Sequence, residues 1–354
     1  MMMTKERVKR MFEHKEADRV PITDGPWGGT LSRWKREGMP EDADWRDYFG
    51  VDKMEGFSVN VTPRYESKVV EENERYVVQT TEYGVTLKYI KGEDSTPEFL
   101  DYTITSPQKW EEAKKRINHD PDRVDWKFLD DNLPKWHSEG RWVDAFFSFG
   151  FDITQNFVVG TELFLISMLT EPEWVEDIYE TQLNANIALF DLIWEKGYRF
   201  DGFNFCDDMG YKGKTFFSPE VYRRLEKPFH KRAFDWARDH GLHARLHSCG
   251  YIEPFIPDLI EIGLEGLNPL EVKSGMDPIK LKQLYGDKLV LNGGINAALW
   301  DKRDEIIAEI ERVVPIIKEN GGFIFSSDHS IPNSVSLNNM KDIVACVKKV
   351  GNYG

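Results

Sequence analysis

The stretch HARLHSCG at residues 243–250 combines the pattern of a β-strand with two metal-binding residue types at its end. Apolar and polar residues alternate up to position 247, and the glycine at position 250 favours a turn. Because side chains two apart on a strand point to the same face, His247 and Cys249 are predicted to emerge side by side. Such a pair forms half of a zinc site or two polar walls of a pocket, unless it is only a buried cysteine and a capped histidine.

Short apolar segments of this kind recur along the chain, and helical patterns separate several of them. Repeated strand–helix units favour parallel pairing, and eight of them in 354 residues predict a TIM (β/α)8 barrel. An open doubly wound sheet is the alternative, but no Gly-x-Gly-x-x-Gly motif follows any of these strands. The predicted strands are residues 19–23, 56–61, 142–149, 200–205, 243–246, 266–269, 289–292 and 323–326.

Residues 66–90 depart from this alternation, since β-branched and polar residues alternate there between turn signals. The pattern predicts a β-rich antiparallel insertion near the N-terminus, inside one domain that spans residues 1–354. The predicted helices are residues 4–14, 171–197, 218–240, 301–320 and 337–350.

The composition limits the classes of partner. The chain has 61 acidic and 46 basic residues, a net charge of -15, which argues against binding to nucleic acid or to an anionic membrane. Its three cysteines form no Cys-x-x-Cys pair, as expected in a reducing compartment. The first fifteen residues lack the apolar core of a signal peptide, and no apolar run approaches the ~20 residues of a membrane span. We expect a cytoplasmic protein with a small-molecule substrate, and the oligomeric state stays open.

Polar residues follow most of the predicted strands, where a TIM barrel has its active site. Asp207 and Asp208 follow the fourth strand, and because neighbours on a strand point apart, one is expected to face the site while the other caps a loop. Asp328 is equally compatible with a turn and with a site, and Cys206 and Cys346 are interpreted as structural. The residues predicted to form the mouth of the pocket are Asp24, Trp27, Asp207, His247, Asn268, Asn292 and His329.

Six short motifs lie at these strand ends and helix starts: RVP (19–21), DDMG (207–210), SPE (218–220), HSCG (247–250), NGG (292–294) and SDHSIP (327–332). Together they resemble the uroporphyrinogen decarboxylase superfamily of TIM barrels over nearly the whole chain. True uroporphyrinogen decarboxylases carry an arginine-rich segment after the first strand, which holds the substrate's carboxylates. Here that segment reads DGPWGG (24–29), so Coulomb repulsion disfavours a substrate with eight carboxylates.

The chain is more similar to the cobamide-dependent methyltransferases of this superfamily. That resemblance implies a zinc ion bound by His247 and Cys249, with Glu271 assisting. The third ligand of those enzymes, a later cysteine, is replaced here by Asp328 with His329 beside it, and either could bind zinc. An oxygen or nitrogen ligand in place of a thiolate makes the metal a stronger Lewis acid, so oxygen substrates become as reasonable as thiols.

The resulting hypothesis is zinc-dependent methyl transfer between a corrinoid, carried by a partner protein, and a small thiol or oxygen substrate. Asp207 or Asp208 would supply a general base or a polar wall, and the substrate would contact Asp24, Trp27, Asn268, Asn292 and Gly293. One alternative is a metal-free decarboxylase in which an aspartate stabilises a protonated intermediate. The other is a small-molecule-binding barrel without enzymatic activity.

Overall fold

A computed structural model describes residues 2–92 and 94–354 and contains a parallel sheet of seven strands. In spatial order these are β1 (Met54–Ser58), β6 (Trp142–Phe147), β7 (Gly202–Cys206), β10 (His243–His247), β11 (Gly266–Asn268), β12 (Val290–Asn292) and β13 (Phe323–Ile324). Seven of the eight predicted barrel strands are therefore confirmed in type and in order. Strand β6 is buried along almost its whole length, as expected for a parallel strand covered on both faces.

The eighth predicted strand, residues 19–23, forms only isolated contacts instead of a ladder. Ile22 makes a parallel bridge to Phe325, and its carbonyl accepts a hydrogen bond from the Asp52 amide just before β1. Pro21 has no N–H group, which limits how far a ladder can extend there. The segment nevertheless forms backbone hydrogen bonds beside β1 and beside β13, the two outermost strands of the sheet. The architecture is an α/β fold whose curled parallel sheet is consistent with a TIM barrel.

A separate antiparallel sheet lies in the chain between β1 and β6. Its strands are β2 (Val69–Glu72), β3 (Tyr76–Thr80), β4 (Val85–Ile90) and β5 (Glu98–Tyr102), paired in sequence order. The antiparallel pairing follows the prediction, but the sheet extends twelve residues past the predicted end at position 90 because β5 was missed. Acidic residues begin and interrupt the EFLDY sequence of β5, so its apolar pattern is weak. The remaining strands, β8 (Gly210–Tyr211) and β9 (Lys214–Thr215), form a short hairpin.

The helices surround the parallel sheet, and the ends of the predicted ones agree with the structure to within a few residues. One difference is that a π-helical turn, Tyr222–Glu226, interrupts the helix predicted at 218–240. The helices are α1 (Thr4–Phe12), α2 (Gly28–Arg36), α3 (Trp45–Phe49), α4 (Pro107–Lys114), α5 (Trp126–Ser138), α6 (Phe151–Ile153), α7 (Thr161–Thr170), α8 (Pro172–Glu195), α9 (Pro219–Val221), α10 (Lys227–Asp239), α11 (Ile256–Glu261), α12 (Pro278–Tyr285), α13 (Arg303–Ile317) and α14 (Leu337–Val350).

The register of three central strands places the predicted site. His247, the last residue of β10, is paired with Cys206 at the end of β7 and with Asn268 at the end of β11. Behind them, aromatic side chains fill the layer between sheet and helices; the Phe147 and Phe203 rings, for example, lie 4.6 Å apart, edge to face. Burial of this aromatic surface holds the strands in register. Among the described helices, none combines the length and the apolar character needed to cross a bilayer.

Candidate active site at the carboxyl ends of the strands

A cavity of about 870 Å³ includes the carboxyl ends of the parallel strands in its walls. Eight of the twelve predicted site residues line it, whereas four do not. The lining residues are Asp24, Trp27, Asp208, His247, Cys249, Asn268, Asn292 and His329. The other four are Asp207, Glu271, Gly293 and Asp328.

His247 is held in one tautomer. Its Nδ1 lies 2.5 Å from the Asn268 side-chain oxygen, which can only accept, so Nδ1 carries the proton. The free Nε2 lies 3.4 Å from the Cys249 sulfur, in agreement with the side-by-side emergence expected from the strand. Metal-binding histidines typically donate their other ring nitrogen's proton to an oxygen in this way, which fixes the orientation of the ring.

Asp208 joins this pair from the neighbouring strand end. Its Oδ1 accepts the backbone N–H of Cys249 at 2.7 Å and lies 3.8 Å from His247 Nε2. One hydrogen bond therefore fixes the carboxylate against the loop that carries Cys249. Asp208, not Asp207, is the member of the Asp-Asp pair that faces the cavity.

Cys206 is not the core residue expected from the sequence. It is only partly buried, and its sulfur points towards Asp208 Oδ1 at 3.8 Å and towards Asp152 Oδ2 at 3.7 Å. Burial, together with the Asp208 and Asp152 carboxylates, raises the pKa of the Cys206 thiol well above its usual value. Burial and the nearby carboxylates Asp208 and Glu271 also raise the pKa of Cys249.

The structure corrects the role predicted for Asp207. Its side chain has no exposed surface and accepts hydrogen bonds from the Asp152 amide at 2.7 Å and from His230 Nε2 at 2.9 Å. Glu226 completes this buried network, and both burial and the Asp207 carboxylate raise its pKa well above the usual value. A carboxylate without exposed surface does not contact a substrate, so Asp207 instead supports the loop after β6.

Glu271 and Asp328 hold loops together outside the main cavity. Glu271 Oε2 accepts the Gly250 amide at 2.6 Å, and its Oε1 pairs with Lys273 at 3.0 Å. Although burial alone would raise it, these contacts lower the pKa of Glu271. Asp328 is 1% exposed, and its two oxygens accept the amides of Val272 at 2.8 Å and Ala297 at 2.6 Å. Of the two roles considered for Asp328, these contacts favour the stabilisation of a turn over the binding of a metal ion.

His329 lines the cavity but does not join the His247 group. It is exposed and its ring stacks on Trp27 with the centroids 6.2 Å apart. Among the residues that the structure describes, the donor atoms of Cys206, Asp208 and His247 lie within 4.8 Å of one another, and no such group of three contains Cys249, Asp328 or His329. His247 and Cys249 thus lie side by side as predicted, whereas neither residue predicted as the third ligand joins them, and zinc binding at this pair stays a prediction.

Asp24 faces the cavity from the first strand end. Its carboxylate accepts two hydrogen bonds from Ser327, from the amide at 2.7 Å and from the hydroxyl at 2.9 Å, and one from Gly25. Burial raises the pKa of Asp24 to about 7, against the opposing effect of these donors. The group can therefore accept or release a proton near neutral pH.

Arg245 is a cavity residue that the sequence reasoning missed. It points to the same face of β10 as His247, donates to Asn292 Oδ1 at 3.1 Å and forms a buried ion pair with Asp144. The sequence pattern could have identified Arg245, because the alternation that predicts the strand also places residues 245 and 247 on one face.

Gly293, which was predicted to contact the substrate, has a backbone role instead. With φ at 111°, an added Cβ would lie 2.1 Å from the Pro269 carbonyl oxygen.

One solved structure and one family model agree with this architecture. A methyltransferase from Methanosarcina mazei shares the fold, with a TM-score of 0.66, 15% identity and coverage of 99% of both chains. A glycosylated endo-β-1,4-xylanase from Gloeophyllum trabeum gives a TM-score of 0.41 at 8% identity, over 65% of this chain and 82% of that one. No curated protein matches the sequence. The family model described as uroporphyrinogen decarboxylase (URO-D) matches residues 154–350, more than half of the chain. As the sequence motifs predicted, the protein belongs to the uroporphyrinogen decarboxylase family.

Proposed function

We propose that the protein is an enzyme that transfers a methyl group between a corrinoid, carried by a partner protein, and a small thiol or oxygen substrate. The observation that carries the proposal is the His247–Cys249 pair, with 3.4 Å between Nε2 and Sγ and with Nδ1 fixed by Asn268. The fold shared with the Methanosarcina mazei methyltransferase is in keeping with it. The proposal treats the sheet as a closed (β/α)8 barrel, with residues 19–23 as the eighth strand of a single domain.

The donors at the end of β10 fit a zinc ion. Cys249 offers a thiol sulfur and His247 offers the unprotonated nitrogen, and these are the ligand types that zinc prefers. When bound, zinc lowers the pKa of a thiol or hydroxyl group and makes it a better nucleophile at neutral pH. Asn268 keeps the His247 ring in the tautomer and orientation that such binding needs.

The rest of the cavity would orient the substrate. Asp24, with its pKa near 7, would take up the proton that a thiol or hydroxyl substrate loses. In such a transfer the substrate's sulfur or oxygen would bond to the methyl carbon, and the electron pair of the carbon–cobalt bond would remain with the corrinoid. Trp27 and His329, stacked on each other, form an aromatic wall of the cavity.

Spectroscopy with free methylcobalamin tests the transfer. The zinc-loaded protein, given a panel of small thiols and alcohols, is expected to demethylate methylcobalamin, which changes its visible absorbance. Cys249→Ala should abolish this change, whereas Cys346→Ala, in helix α14, should leave it intact. A decrease in absorbance that is equal in the wild type and in Cys249→Ala would contradict the proposal.

A second candidate is metal-free decarboxylation, which the proton affinity of Asp24 favours. A carboxyl group with a pKa near 7 is partly protonated at neutral pH and can donate the proton that replaces departing CO2. This function predicts activity that survives chelators and is lost in Asp24→Asn. Methyl transfer predicts activity that chelators remove.

We also propose a cytoplasmic location. Reducing conditions there would keep Cys206 and Cys249 free of disulfides, as zinc binding by their sulfurs requires. Labelling of both thiols in protein from freshly lysed cells, after a chelator has removed bound zinc, is the expected result, and a disulfide in that protein would contradict it.

A further inference from the structure

The end of strand β7 brings two additional donors to the His247–Cys249 pair. Cys206 is the direct neighbour of His247 in the parallel register, and Asp208 follows two residues later. Asp208 Oδ1 lies 3.8 Å from both Cys206 Sγ and His247 Nε2. Cys206, Asp208 and His247 form a group whose donor atoms all lie within 4.8 Å of one another.

These separations are close to the edges of a zinc tetrahedron. Bond lengths of about 2.0–2.3 Å give nitrogen–sulfur and oxygen–sulfur edges of about 3.5 Å and nitrogen–oxygen edges of about 3.3 Å. The observed values are 3.4 Å for His247 to Cys249, 3.8 Å for Cys206 to Asp208 and 3.8 Å for His247 to Asp208. Cys206, Asp208 and His247 therefore already form three corners of such a site, whereas the Cys249 sulfur, 3.4 Å from His247 Nε2 but outside their group, would reach the fourth corner by a rotation of its side chain.

The charge of the cluster is also uncompensated. Within residues 2–92 and 94–354, neither Asp208 nor Asp152 forms an ion pair with a lysine or arginine, and the basic side chain that Asp208 faces is the His247 imidazole, whose Nε2 lies 3.8 Å from Asp208 Oδ1. Both carboxylates are partly buried beside two thiols. Buried carboxylates are normally paired with a cation, and a divalent ion at this position would supply the missing charge.

The residues expected to complete the site from the eighth strand are otherwise engaged. Both oxygens of Asp328 accept backbone amides, and His329 packs on Trp27 at the rim. We propose that Cys206 and Asp208 of strand β7, with His247 and Cys249, form a two-sulfur, one-nitrogen, one-oxygen site for zinc. This inference rests on the proposed function, but it takes the remaining zinc ligands from the end of β7 instead of from the end of the eighth strand. Two thiolates select a soft ion such as zinc over magnesium or calcium.

Zinc K-edge X-ray absorption on the zinc-loaded full chain tests the assignment directly. The wild type is expected to show two sulfur ligands near ~2.3 Å, and Cys206→Ser one. Competition with a chromophoric chelator should show at least about tenfold weaker zinc binding for Cys206→Ser and for Asp208→Asn. His329→Ala and Cys346→Ser should keep the wild-type affinity. Cys206→Ala serves as a second variant, and circular dichroism verifies that each variant is folded.

Three results would overturn the inference in distinguishable ways. A single sulfur ligand in the wild type, with unchanged affinity in Cys206→Ser, would refute the role of Cys206 and leave zinc binding at His247 and Cys249 intact. Loss of zinc in His329→Ala with full binding in Asp208→Asn would return the site to the eighth strand. Absence of zinc binding by the wild type would overturn both this inference and the metal in the proposed function.

Discussion

At the scale of single residues, the site combines side chains whose proximity could be predicted from the sequence with side chains that only the folded sheet brings together. His247 and Cys249 follow from strand alternation alone, because they are two residues apart. Cys206 lies 41 positions before His247, and only the register of β7 against β10 makes them neighbours. That register depends on packing across the whole sheet, which no local pattern encodes.

Asp24 gives a pH-dependent prediction. Its folded-state pKa of about 7 is above that of an unfolded aspartate, so its neutral form stabilises the fold at low pH. This contribution is present below about pH 4 and is lost as the pH rises through about 7. We expect the melting temperature of the wild type relative to Asp24→Asn to fall between pH 5 and pH 8, as measured by differential scanning fluorimetry. A difference that stays constant across this range would contradict the shifted pKa.

At the scale of elements, the loops after the strands are fastened to one another by backbone contacts. Gly250, after β10, approaches the backbone of Gly210, after β7, so closely that an added Cβ would lie 2.1 Å from the Gly210 carbonyl carbon. The sequence indicated a turn at Gly250 but could not show this contact. The sequence also provided no indication of the π-helical turn within the 218–240 helix, since the buried Glu226 of this turn contacts Tyr179, which is distant in sequence.

Gly250→Ala should therefore destabilise the fold more than a matched glycine substitution. Gly241 also has a positive φ, 68° against 82° at Gly250, but an added Cβ there meets nothing within 4 Å. We expect Gly241→Ala to cost about 1 kcal/mol of unfolding free energy from backbone strain alone, and Gly250→Ala about 1–3 kcal/mol more. Urea denaturation measures both values. Equal losses of unfolding free energy in the two variants would contradict this prediction, because they would show that the loops after β7 and β10 can move apart without an energetic penalty.

Asp328 provides a second prediction at this scale, because it ties two loops through the Val272 and Ala297 amides. Asp328→Asn replaces one accepting oxygen with a donor and should lower the unfolding free energy by about 1–3 kcal/mol. Zinc stoichiometry should remain that of the wild type. Loss of zinc without loss of stability would instead identify Asp328 as a metal ligand.

At the scale of the whole molecule, the family and the parallel α/β architecture could be predicted, because strand–helix alternation and short motifs extend along the entire chain. The weak first strand and the extra β5 could not, since both depend on contacts made after folding. The net charge of -15 predicts that a protein partner which delivers a corrinoid would present a basic face.

Metal analysis of the protein purified without chelator tests the central claim most directly. The account predicts about one zinc per chain in the wild type and in Cys346→Ala, and little or none in His247→Ala and Cys249→Ala, with all four proteins folded. Zinc retained at full stoichiometry in both His247→Ala and Cys249→Ala, or no zinc in a wild type supplied with the ion, would contradict it.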